Sequence, residues 1–84
     1  MCFKNVLKGM DLFMIIKSQV VLYMYDLLIN GDEFAMNEII TLYNISIRTF
    51  RRYIAEINNF LYEQYKHKEV IFSKERGTYY IVEF

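Results

Sequence analysis

The chain reads as a small α+β domain, mainly helical, in which three helices precede a C-terminal β-hairpin. Three observations predict this. Apolar residues recur at Phe50, Ile54, Ile57 and Leu61, the spacing of a helix with one buried face. Further on the period changes: EVIFS (69–73) and TYYIV (78–82) are rich in β-branched and aromatic residues, and the connection between them ends on Gly77. Punctuation is sparse, with no proline and glycines only at Gly9, Gly31 and Gly77, so short turns join the elements.

At 84 residues the chain is one domain or part of one. A hydrophobic share of 55% against 24% charged excludes wholesale disorder, and seven Phe with eight Tyr give large buried area per residue. A chain this short buries only about 60% of its unfolded surface, so it needs dense packing or self-association. The single cysteine, Cys2, excludes an internal disulfide framework and a cysteine-based metal cluster.

Residues 1–17 read as an N-terminal arm or short extra helix, and 18–84 as the domain proper. The first helix is expected to start at Ser18, an N-cap residue type, and to stop at Asn30-Gly31. Gln19, Tyr23, Asp26 and Asn30 form its polar stripe, with Val21, Met24, Tyr25 and Leu28 facing the core. Asp32-Glu33 read as a solvated turn. A second helix is expected over 37–43, with Asn37 as cap, Glu38 in its positive first turn and Ile39, Ile40 and Leu42 apolar. Tyr43-Asn44-Ile45 leaves room only for a tight turn, with Asn44 suited to positive φ. Ser46 caps a third, longer helix that reaches about Gln64. Lys74-Glu75-Arg76-Gly77 then turns the hairpin, where Phe72, Tyr79 and Ile81 take alternating, core-facing positions.

No catalytic equipment is visible. The lone histidine, His67, sits between Lys66 and Lys68 in an expected exposed loop, without a second His, a thiol or paired carboxylates nearby. There is no glycine-rich phosphate loop. The chain therefore reads as a non-enzyme with no cofactor and no metal. The longest uncharged run within Leu12–Ile29 is the eight residues Ser18–Tyr25, against about 20 for a membrane span. Alanine occurs only at Ala35 and Ala55, so no small-residue cleavage site follows an apolar core, and a cytoplasmic location with no membrane partner is expected.

Charge supplies the positive clue. The total is zero, but residues 1–43 hold three basic and five acidic residues, and 44–84 hold seven and five. Between Asn44 and Ala55 every charge is positive, and every one is Arg. At about 100° per residue, Arg48, Arg52 and Asn59 lie within about 40° of the direction opposite the apolar seam, with Ala55 close by. Such a ridge carries donors for guanine, adenine and phosphate, and a small residue where it would approach a groove floor. Arg51, on the flank, suits a backbone phosphate. Lys74 and Arg76 add cations at the hairpin tip.

The run Glu38–Ile54 (EIITLYNISIRTFRRYI), then Ile57, resembles the helix-turn-helix core of bacterial winged-helix transcription regulators of the DeoR-type, biotin-repressor-like and WYL-associated kinds. The tail Arg76–Ile81 (RGTYYI) is similar to their Gly-x-Tyr-x-Leu/Ile second wing strand, and the likeness extends over about residues 18–82. Asn44 stands where those families often carry Gly. The resemblance implies a winged helix-turn-helix fold that binds double-stranded DNA in a sequence-specific way, as a homodimer. By position, Ile47, Arg48, Thr49 and Arg52 would read bases from the major groove. Ser46 and Arg51 would touch phosphate, and Lys74 and Arg76 would reach the backbone or an adjacent minor groove. Any effector site would belong to a further domain absent from this chain. The rival reading is a winged-helix protein-interaction or dimerisation module that does not bind DNA. Neutral charge and the apolar Phe3, Phe13, Ile15, Ile16, Tyr23 and Ile29 fit it.

Overall fold

The computed structural model describes residues 12–84, with side chains from Lys17 onward. Within them lie α1 (Leu12–Ile29), α2 (Met36–Tyr43), α3 (Ile47–Gln64), β1 (Lys68–Ser73) and β2 (Thr78–Glu83). This is a small α+β domain: three helices, then a two-stranded antiparallel hairpin. The arm or short helix expected over 1–17 falls outside the described residues as far as Asp11, as do Cys2 and Phe3, and so do the side chains of Phe13, Ile15 and Ile16.

The start of α1 departs from expectation. Ser18 does not cap the helix; it lies inside it, exposed, with the backbone already helical from Leu12. The physical reason is that no Pro or Gly separates the apolar Leu12–Ile16 from Ser18, so a mid-propensity serine is simply carried within the helix. The end of α1 is as expected. Gly31 adopts φ 87°, its N–H bonds to the Leu28 carbonyl at 3.1 Å, and Asp32 N–H reaches the Leu27 carbonyl at 2.9 Å, the paired bonds of a Schellman motif. The core stripe of α1 is Val20, Met24 and Leu28, with Val21 and Tyr25 only half-buried.

α2 is capped two residues earlier than expected. The residue before it is Ala35, which has no side-chain oxygen, so Asn37 is not the cap. Glu38 does that work by reaching back to accept the Ala35 N–H at 2.9 Å. Ile39 is buried and Ile40 half-buried, whereas Leu42 is 62% exposed. The turn that follows is as expected: Asn44 adopts φ 54°, ψ 50°.

In α3, Phe50, Ile57 and Leu61 are buried and Ile54 is half-buried. Tyr53, absent from the expected seam, is 1% exposed. α3 contacts α1 and α2 as well as β1, so its buried stripe is wider than a single seam. Asn58 fastens the hairpin to it: its Oδ1 accepts the Val70 N–H at 2.7 Å, and its Nδ2 donates to the Val70 carbonyl at 3.2 Å.

The hairpin register runs from Lys68 opposite Glu83 to Ser73 opposite Thr78. Gly77 closes the tip with φ 67°, a conformation that costs glycine least. The connection between α1 and α2 also joins the hairpin: Phe34 exchanges two backbone hydrogen bonds with Tyr79, at 3.2 and 2.8 Å. Phe34, Phe50 and Tyr79 form an aromatic cluster with ring centres 5.2–6.2 Å apart, which joins the loop, α3 and the hairpin. Tyr79 and Ile81 pack on the core as expected. Phe72 does not; it remains 48% exposed because the core ends before it.

Candidate nucleic-acid interface

The arginine-rich start of α3 is aimed by two local devices. Left-handed Asn44 reverses the chain after α2, and Ser46 Oγ then accepts the Thr49 N–H at 3.0 Å, which fixes the first turn of α3. With Phe50, Tyr53, Ile57 and Leu61 buried on one side, Arg48, Arg52, Ala55 and Asn59 emerge exposed on the other. Arg51 is exposed as well, and lines a groove between the starts of α2 and α3 and the hairpin tip.

Among the described residues the ion pairs are Lys17–Glu56 at 3.2 Å and Arg76–Glu33 at 2.8 Å, and His67 Nε2 lies 3.1 Å from Glu83 Oε2. Arg48, Arg51 and Arg52 take part in none of them. The nearest acid along the helix, Glu56, is drawn to Lys17 of α1, away from the ridge. Three guanidinium groups outside the described ion pairs therefore share one end of one helix and make it a patch of positive charge.

The remaining sequence-derived positions differ in their freedom. Ile47 is 45% exposed, and Ser46 is exposed while its hydroxyl serves as cap. Thr49 is half-buried, and its hydroxyl oxygen accepts from the Ser46 hydroxyl at 3.0 Å. Lys74 projects from the hairpin turn, exposed and outside the described ion pairs. Arg76 is engaged: its Nε–H donates to Glu33 Oε1, and its guanidinium lies 4.9 Å from the centre of the Tyr80 ring. The Thr78 hydroxyl donates to the same Glu33 oxygen. These two hydrogen bonds, Arg76 first and Thr78 second, hold the Glu33 carboxyl below the ordinary carboxylate range. The turn expected to be merely solvated thus carries a clamp between the α1–α2 connection and the hairpin tip.

His67 is half-buried just before β1, with Nε2 on Glu83 and Nδ1 on the Tyr65 carbonyl. Among the described residues no group of three or more His, Cys, Asp or Glu is placed to hold a metal ion. No described helix is long and apolar enough to cross a membrane.

The roles of Asn58 and Phe34 are not anticipated by the sequence reading, which takes Glu33 only as part of a solvated turn. Only Asn58 had a signal in the sequence, as an amide beside the apolar seam, three residues before Leu61 and one after Ile57. No protein-family model, curated protein or solved structure matches the chain.

Proposed function

We propose that the chain is a winged helix-turn-helix module that binds double-stranded DNA in a sequence-specific manner and serves as a transcription regulator. In this reading α2, the Asn44 turn and α3 form the helix-turn-helix, and the hairpin is the wing. α3 enters the major groove with Arg48 and Arg52 on base edges, Ile47 beside a thymine methyl and Thr49 at the margin. Ser46, Arg51 and Lys74 take phosphates; for Arg76 to do so, phosphate must displace Glu33. A single small module has few phosphate contacts, so it works as a homodimer on paired half-sites.

The observation that carries the reading is the set of exposed, unpaired arginines on the outer face of α3. Fluorescence anisotropy with a labelled duplex tests it. Binding at about 50 mM salt that weakens steeply by about 200 mM is expected. Absence of binding at low salt, or affinity unchanged in the Arg48→Ala/Arg52→Ala double variant, contradicts it.

One observation favours a second reading. Val21, Leu22, Tyr25, Ile57 and Phe60 line an apolar groove of about 280 Å³ between α1 and α3, and Leu22 is 66% exposed. A protein-interaction module would use that face. Self-association insensitive to salt, without retention on a polyanion column, distinguishes it.

A further inference from the structure

Phe72 occupies a position that core packing does not explain. It shares a strand face with buried Val70, two residues away, so it points toward the helical layer. It nevertheless stays 48% exposed, because the part of α3 nearest to it offers Arg51 instead of an apolar side chain. One side of the Phe72 ring meets Tyr79, with centres 5.0 Å apart, and Tyr79 in turn is anchored on Phe34 and Phe50. Phe72 is thus the outermost ring of an aromatic cluster, beside the guanidinium of Arg51, which takes part in none of the described ion pairs. The groove they line measures about 380 Å³ and is closed by Ala35, Met36, Asn37 and Gly77, with one cation and no acid among its lining residues.

Building on the DNA-binding reading, we infer that this groove is the seat of one sugar-phosphate strand of duplex DNA, with Arg51 on a phosphate and the Phe72 ring against the neighbouring deoxyribose. Charge complementarity selects an anion, and the adjacent apolar ring selects one that carries a hydrophobic unit next to its charge. A nucleic-acid backbone alternates the two. Phe72 would then add affinity independent of salt, and Arg51 affinity that depends on it, since only the cation releases counterions.

The test is anisotropy of the full chain on a labelled random-sequence duplex of about 20 base pairs over a salt series of about 50–200 mM. Phe72→Ala should weaken binding about five- to tenfold at every salt, the worth of re-burying about half a Phe ring, with an unchanged slope of log K against log salt. Phe72→Leu should recover most of the loss. Arg51→Met, which keeps an apolar stem, should flatten the slope by about 0.9. Circular dichroism melts check that each variant is folded. If the wild type binds while Phe72→Ala and Phe72→Leu bind equally well, the inference fails and the DNA-binding reading stands. If Phe72→Ala changes the salt slope instead, the ring is acting through the cation and the inference also fails. If the wild type does not bind duplex at low salt, the parent reading fails and this one with it.

Discussion

The two halves of α3 belong to one continuous helix and present different chemistry to solvent. From Ile47 to Ala55 the exposed side carries Arg48, Arg51 and Arg52 and no acid. From Glu56 to Gln64 it carries Asn59, which continues the ridge without charge, with Phe60, Tyr62, Glu63 and Gln64, and Glu56 is paired to Lys17 of α1. The buried side is uniform throughout, a row of Phe50, Tyr53, Ile57 and Leu61. Stability is therefore distributed along the whole helix, whereas its positive charge is concentrated in the first half. The lesson is that on an 18-residue helix the core pattern and the site pattern are independent, and substitutions separate them.

The largest effect expected is on the shared, buried side. Phe50→Ala should destabilise the domain by about 3–5 kcal/mol, read by urea denaturation, because it removes the ring that Phe34 and Tyr79 pack against. That loss is comparable to the whole stability of a chain this small. Next, Asn58→Ala should cost about 1–3 kcal/mol, since it leaves the Val70 N–H and carbonyl without their partners next to a buried side chain. Neither variant changes the exposed arginines, so duplex affinity, measured where the protein is folded, should follow the folded fraction alone.

On the exposed side the expectation reverses. Arg48→Ala and Arg52→Ala should each shift stability by less than about 0.5 kcal/mol and lower affinity for a selected duplex by about 1–3 kcal/mol. In the second half, Tyr62→Ala and Glu63→Ala should change stability by less than about 0.5 kcal/mol and leave duplex binding unaltered, as titrations of each variant would show. A loss of affinity in those variants equal to that of Arg48→Ala would erase the distinction between the halves.

The smallest effect concerns the clamp at the hairpin tip. Glu33 is held below its ordinary range, so its folded pKa is depressed. The stabilisation it provides is fully present above its unfolded pKa and is lost as pH falls through the folded value. Glu33→Gln should therefore reduce stability slightly at neutral pH and make the acid-side decline shallower, as melts between about pH 2 and 6 would record. It should also release Arg76, and a modest rise in duplex affinity at low salt is the expected consequence.

What was legible in the sequence follows from the range of each interaction. The Asn44 turn, the Ser46 cap, the extent of α3 and the four-residue hairpin turn depend on neighbours within a few positions, and all are found in the structure. The helix starts were misplaced at Ser18 and Asn37, because a cap residue type is permissive: Ser sits inside α1 without breaking it, and Glu38 caps α2 from within. Tyr53 falls off the seam because a single-period pattern assumes one packing partner, and α3 has elements on several sides. The Arg76–Glu33 contact spans 43 positions and has no local signature. The exposure of the three arginines follows from periodicity alone; that they stand outside the described ion pairs is visible only once Glu56 is seen turned toward Lys17.

The central claim is that the unpaired arginines at the start of α3 bind duplex DNA. Selection from a random duplex pool tests it most directly, with the wild type and the Arg48→Ala/Arg52→Ala variant run in parallel. The account predicts that the wild type enriches a short motif, repeated in symmetric half-sites, and that the variant enriches none. A wild-type pool that stays random, or the same motif enriched by the variant, would contradict it.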